Sequence, residues 1–308
     1  MSVYTELTHH DIIALLAKYD LGQYQSHQGI SAGVENTNYF VNTTEHALVL
    51  TLFEKHDPAE LPFFLQLGEH LYKDNCKVPR PFRSRSGDLL QEVKQKPAVL
   101  IERIKGGHVN ATTEYAQEIA IAMAGIHLST QSFPLTRVHS HNVEWVKTTA
   151  QQIMSEFSVE HKQLLKAALE QISSIPQNLP SGVIHADLFH DNALFDNGHI
   201  TGIIDWYFAG IDSFALDIAI TMNDWCLTID RQFDPIQGEL FLQAYQRVRP
   251  LTAIEKDAIR LLQIQAATRF WLSRWLAQKE HKNSTDTITV KNPDEMKKLL
   301  EALLNYTH

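Results

Sequence analysis

Cysteine is scarce in this chain: Cys76 and Cys226 are the two in 308 residues. That excludes a disulfide framework or a thiolate zinc ribbon, and a reducing compartment, the cytoplasm, is the expected setting. No apolar run is long enough to span a bilayer, so no membrane partner is expected. Residues 1–30 carry Glu6, His9, His10 and Asp11 and lack the basic start and apolar core of a signal peptide. Positive charge is in deficit, with 27 Lys+Arg against 36 Asp+Glu and a net charge of −9. A protein dedicated to duplex binding needs a basic footprint, so no nucleic-acid partner is expected. Internal repeats and low-complexity tracts are also missing. What remains is ordinary globular composition, 44% hydrophobic and 20% charged. The length suits about two domains at roughly 100–200 residues each.

Local patterns give the organisation. Thr8-His-His-Asp11 reads as a capping box, followed by Ile12, Leu15, Leu16 and Tyr19 at helical spacing and by Gly22 as a stop. Three extended segments, 24–30, 37–42 and 47–53, are separated by short turns and should pair antiparallel. Pro58 is expected to open a helix carrying Phe63, Phe64, Leu67 and Leu71, and Val78-Pro-Arg-Pro81 cannot continue it. Two further strands are expected over 88–94 and 98–104. After Gly106-Gly107 the chain is mainly helical, over 114–128, 141–157, 160–172 and from the capping box Thr252-Ala-Ile-Glu255 to about 277. The polar run 280–292 is expected to be mobile, and Asn292-Pro-Asp-Glu starts a last helix. The expected division is therefore a β-rich lobe over 1–103 and an α-rich lobe over 104–308.

One stretch interrupts the helices, from Gly182 to Phe208. Asn197-Gly198 is a strong hairpin turn signal. Folding the chain there brings Asn192 and Asp205 to one end of the hairpin, with Asp187 on the loop leading into it. Few, hard oxygen donors of this kind suit Mg²⁺, which keeps several waters and shares phosphate oxygens. A further carboxylate beside them can accept a proton from an attacking hydroxyl. Metal ligands and a positioned base are parts that phosphoryl transfer needs. The spacing His185-x-Asp187-x-x-x-x-Asn192 repeats the kinase catalytic loop, and Ile204-Asp205-Trp206 stands in place of the metal-binding D-F-G.

With these residues the chain resembles the aminoglycoside phosphotransferase/choline kinase-like family of small-molecule kinases, and within it the bacterial homoserine kinases. The likeness runs through Gly33-Val-Glu-Asn-Thr-Asn-Tyr39, Leu48-Val-Leu-Thr-Leu-Phe-Glu54, Val78-Pro-Arg-Pro81, His185-Ala-Asp-Leu-Phe-His-Asp-Asn192 and Arg269-Phe-Trp-Leu-Ser-Arg274. It implies an α+β, protein-kinase-like two-lobe fold, with a small antiparallel sheet and one helix in the first lobe. It also implies ATP and Mg²⁺ as cofactors and a small-molecule acceptor, L-homoserine. Asp187 would take or orient the hydroxyl proton, Asn192 and Asp205 would hold Mg²⁺, and Asp217 would brace the catalytic loop. The nucleotide would lie under Ser31, Gly33 and Asn36, near Thr51, with adenine at the backbone of Glu102 to Ile104. Two departures stand out. Thr51 occupies the position of the strand lysine that contacts nucleotide phosphates, and its helix glutamate partner has no equivalent, since Glu60 comes early and Phe64 takes the spacing. Lys55 or an arginine is left to supply that charge.

Plainer readings stand beside these. His185 reads as an orienting group that bonds backbone. His190, Asp191 and His199 suggest a zinc hydrolase, but no H-x-H or H-E-x-x-H spacing is present. Trp271 and Trp275, four apart on a helix, read as core. Arg269 and Arg274 read as either a clamp for a substrate carboxylate or a solvated helix face. Other acceptors fit the family as well: choline or ethanolamine, methylthioribose, or an aminoglycoside. The alternative from another class is a catalytically silent nucleotide-binding module, motivated by Thr51.

Overall fold

The computed structural model describes residues 5–30, 36–282 and 291–305. Ser31 and Gly33 lie outside them, as does most of the polar run 280–292. The chain divides into two compact units, the first ending at Lys105 and the second beginning at Gly106. No helix among the described residues is long and apolar enough to cross a membrane.

The first unit opens with α1 (His9–Leu16), whose N-terminus is closed by the Thr8–Asp11 capping box. Five antiparallel strands follow in the order β1-β2-β3-β5-β4: β1 (Tyr24–Ile30), β2 (Thr37–Thr43), β3 (Ala47–Leu52), β4 (Gln91–Val93) and β5 (Lys96–Glu102). Alternation sets the buried face: Tyr39 and Val41 of β2 pair with Leu50 and Leu48 of β3, and all four are buried with Ile12, Leu15 and Leu100. α2 (Leu61–Lys73) buries only apolar side chains, among them Leu61, Phe64, Leu67 and Leu71. It starts three residues after Pro58, which sits in the preceding turn; Pro62 is the proline in the first helical turn. β4 is shorter than the pattern suggests, and β5 has the expected length but begins two residues earlier. Their turn is Lys94–Gln95, both at positive φ (51° and 63°), a conformation that neither residue type advertises.

The second unit contains α3 (Thr113–Ser129), α4 (Val143–Ile153), α5 (Val159–Ser173), β6 (Ser181–Ile184), β7 (Ala193–Asp196), β8 (His199–Ile203), β9 (Gly210–Ser213), α6 (Phe214–Trp225), α7 (Pro235–Gln246), α8 (Ala253–Lys282) and α9 (Pro293–Asn305). α6 is buried along its whole length and packs on α8, which also contacts α4, α5 and α9. Leu216, Ile220, Leu262, Trp271, Phe157 and Leu299 belong to this core, so Trp271 is a packing residue. Two small antiparallel pairs are set into the helices: β7 with β8, turned at Asn197-Gly198 (φ 51° and 84°), and β6 with β9. Gly106 permits the chain to enter this unit. Its φ is +134°, and a Cβ there would stand 2.7 Å from the Phe195 carbonyl oxygen.

Candidate active site

The β7–β8 hairpin and the loop before it gather the polar residues. Ala193 pairs with Ile203, and the Ile204 N–H donates to the Asn192 carbonyl at 3.0 Å. Asn192 and Asp205 therefore share one end of the hairpin. Nδ2 of Asn192 donates to the Asp187 carbonyl oxygen at 2.7 Å and to its Oδ2 at 3.1 Å. Both donor bonds come from the nitrogen, which leaves Oδ1 of Asn192 as an acceptor or cation ligand. Ala186 and Asp205 each adopt left-handed backbone, φ 65° and 63°. Non-glycine residues held there cost of order 1–3 kcal/mol and persist only where their surroundings enforce them.

Asp217 on α6 does much of that enforcing. Its Oδ1 accepts the Ala186 N–H at 2.8 Å, and its Oδ2 accepts the His185 N–H at 2.9 Å. The same Oδ2 faces Nε2 of His127 at 3.0 Å, and Nδ1 of His127 lies 2.8 Å from the Tyr245 hydroxyl. Burial would raise the Asp217 pKa, but the bonds from His127 and His185 hold it below the usual carboxylate range. His185 is fixed from both sides: Nε2–H donates to the Ile204 carbonyl at 2.9 Å, while Nδ1 accepts the Asp187 N–H at 3.2 Å. A ring that donates at one nitrogen and accepts at the other is neutral, and burial lowers its pKa further. His185 thus ties the backbone of this loop to the hairpin. Arg269 completes the support by donating from Nη1 to the Ala186 carbonyl at 2.7 Å. It is 3% exposed, so it is neither a solvated helix residue nor an open clamp. Arg274 is likewise committed, to Glu295 Oε2 at 3.2 Å and the Asn292 carbonyl at 3.4 Å. His127, Tyr245 and the inward role of Arg269 carry no sequence signal beyond a polar residue on an apolar helix face.

Electrostatics single out Asp187. Burial of its carboxyl raises its pKa to about 7, with the Asp205 charge adding to the rise and Arg269 opposing it. A carboxylate poised near neutrality is a competent proton acceptor. Along the same loop, His190 Nδ1 lies 2.6 Å from Asp224 Oδ2, and Lys291 Nζ lies 2.5 Å from Asp191 Oδ2. Among the described residues, no group of three or more His, Cys, Asp or Glu is placed to hold a metal. The zinc reading therefore lacks a ligand set. One carboxylate and one amide oxygen next to a second carboxylate fit a hard cation that keeps most of its waters, as Mg²⁺ does.

In the first unit, Thr51 is 3% exposed, and its hydroxyl donates to Asn38 Oδ1 at 2.7 Å. Asn36 is buried, and its Oδ1 has no hydrogen-bond partner among the described residues. Glu102 donates its N–H to the Arg80 carbonyl, while the backbone of Ile104 makes no hydrogen bond among the described residues. A lysine–glutamate pair does exist here, in a place the motif would not suggest: Lys96 at the start of β5 bonds Glu54, just past β3. Lys55 is exposed.

The profile of the phosphotransferase enzyme family matches residues 26–251. The chain is 37% identical over 281 residues to a homoserine kinase from Polaromonas naphthalenivorans (strain CJ2), covering 89% of each chain. It is 35% identical over 305 residues to a homoserine kinase from Neisseria meningitidis serogroup B, covering 98% of this chain and 100% of that one. Among solved structures, an amicoumacin kinase in complex with AMP-PNP, Ca²⁺ and Ami superposes with a TM-score of 0.71 at 16% identity, over 97% of this chain and 92% of that chain. That likeness concerns the fold: protein-kinase-like, α+β.

Proposed function

The chain belongs to the phosphotransferase enzyme family, and on that premise we propose that it transfers the γ-phosphoryl group of ATP to the side-chain hydroxyl of L-homoserine. The products are ADP and O-phospho-L-homoserine, an intermediate suited to threonine synthesis. One observation carries the reading: Asn192 bonds Asp187 and shares one end of the hairpin with Asp205, on a loop that Asp217, His185 and Arg269 hold in strained backbone. The acceptor follows from the relatives, which are homoserine kinases along nearly their whole length.

Asp187 accepts the hydroxyl proton as the alcohol oxygen bonds the γ-phosphorus and the bond to the β-phosphate oxygen breaks. Asn192, through Oδ1, and Asp205 hold Mg²⁺, which when bound supplies charge neutralisation to the phosphates. The nucleotide is assigned to the first unit, against Ser31, Gly33, Asn36 and Thr51, with the backbone at Glu102 and Ile104 for the base. Asn36 Oδ1 and the Ile104 backbone, without hydrogen-bond partners among the described residues, support that assignment. With little covalent work for the protein to do, catalysis is positioning and electrostatics. Cys76 and Cys226 form no disulfide, which supports a cytoplasmic setting.

A coupled ADP-release assay over L-homoserine, choline, ethanolamine, methylthioribose and an aminoglycoside tests the reading. Turnover should be highest with L-homoserine and require Mg²⁺. Turnover with choline and none with L-homoserine would reverse the acceptor. No acceptor-dependent ADP at all, with MgATP still bound, would make the chain a silent module.

A further inference from the structure

L-Homoserine carries its reacting hydroxyl two carbons beyond the carbon that bears an ammonium and a carboxylate. A site that reads it must offer one cation and one anion beside the base. Of the two arginines on α8 weighed for this task, Arg269 is buried and gives Nη1 to the Ala186 carbonyl, its Nε having no partner among the described residues, and Arg274 holds Glu295 and the Asn292 carbonyl. We propose that Lys291 and Asp191 form the subsite for the zwitterionic end of the acceptor, Lys291 taking its carboxylate and Asp191 its ammonium group. This inference rests on the homoserine reading above.

Four observations carry it. Asp191 lies in the short turn between Asp187 and Asn192, so it is on the loop that bears the base. Lys291 lies two residues before α9, a hundred residues away, yet its Nζ meets Asp191 Oδ2 at 2.5 Å and stands 5.3 Å from the centre of the Phe189 ring. Asp191 is the chain neighbour of Asn192, whose Nδ2 bonds Asp187 Oδ2 at 3.1 Å, so the pair stands beside the base. The pair is also open, with 51% and 41% of the two side chains exposed. An exposed ion pair contributes little by itself, so exchanging it for the two ends of a zwitterion sacrifices little and forms two charge-assisted bonds. The backbone that carries Lys291 is held in place for this. Arg274 bonds the Asn292 carbonyl, and Asn292 Oδ1 caps α9 by accepting the Asp294 N–H at 2.9 Å.

The test uses the full chain and three acceptors: L-homoserine, 3-aminopropan-1-ol, which lacks the carboxylate, and 4-hydroxybutanoate, which lacks the ammonium. Lys291→Met should raise KM for L-homoserine by about ten- to a hundredfold. KM for ATP should stay within about twofold, and so should kcat/KM for 3-aminopropan-1-ol. Asp191→Asn should give the mirror image, with kcat/KM for 4-hydroxybutanoate unchanged. Lys291→Arg should retain most of the affinity for L-homoserine. Failure of the wild-type chain to use L-homoserine removes the underlying reading. If the wild-type chain does use it, a Lys291→Met variant with unchanged KM overturns this subsite alone. An equal loss of kcat with all three acceptors also overturns it, because the ammonium would then serve the transferring phosphoryl group.

Discussion

Replacing Asp217 by Asn swaps one carboxylate oxygen for an NH₂ in a pocket where three donors converge. The side chain is 1% exposed, so water cannot repair the mismatch. If the amide oxygen keeps the Ala186 N–H, now at 2.8 Å, the new NH₂ confronts the His185 N–H and His127 Nε2, at 2.9 and 3.0 Å. His127 can respond by moving its proton to Nδ1, which already faces the Tyr245 hydroxyl. The His185 N–H has no such escape and is left buried without an acceptor. Losing charge-assisted bonds worth about 1.5–3 kcal/mol each, in a buried pair whose rupture costs about 3–5 kcal/mol, gives a destabilisation of about 3–5 kcal/mol. A unit of this size loses about 2–4 °C per kcal/mol, so the melting midpoint should drop by about 6–20 °C. The assay is direct, because Trp145, Trp206, Trp225, Trp271 and Trp275 all follow Gly106 and report on the second unit. The gap should close in acid. Asp217 titrates below the ordinary carboxylate range, so its contribution is present above that range and disappears as pH falls through the folded-state pKa. Because the same bonds position Asp187, kcat should fall by about a hundredfold, the effect of displacing a catalytic group by about 1 Å. An Asn variant that melts within about 1 °C of the wild type would refute the brace.

Asp187→Ala should lower kcat by about 10²–10⁴-fold while leaving KM for ATP nearly unchanged, as steady-state kinetics will show. In Asn192→Ala, Oδ1 is lost together with both bonds to Asp187, and the Mg²⁺ needed for half-maximal turnover should rise by about 10–100-fold. In the first unit, the hydrogen bonds from Arg83 pull the Glu69 pKa from 4.5 to about 2, so its stabilisation is intact above 4.5 and is lost between there and about 2. Glu69→Gln should therefore remove about 1 kcal/mol at neutral pH and nothing below about pH 2, read from urea midpoints by circular dichroism; a pH-independent difference would contradict the pairing.

Periodicity and turn chemistry made much of this protein legible in one dimension. Alternation in β2 and β3, the apolar face of α2, the capping boxes at Thr8 and Thr252 and the Asn197-Gly198 turn all depend on neighbours within a few residues. The spacing from His185 to Asn192 and the return to Asp205 are local as well, so the heads of the candidate site could be read before any coordinates. The misplaced features depend on distant packing. Pro58 and Pro62 both suit a helix start, and only the burial of Leu61 and Phe64 selects the second. The Lys94–Gln95 turn and the pairing of β6 with β9 leave no local signature. Partner choice among charged groups was equally hidden. His127 reaches Asp217 across 90 residues, and Lys291 reaches Asp191 across 100. Sequence by itself determined which residues bear chemistry and which segments twist or coil, because those follow from side-chain type and short-range spacing. The tertiary structure alone decided which charges are buried together and which stay open to a ligand, because desolvation and pairing depend on what the folded chain brings alongside.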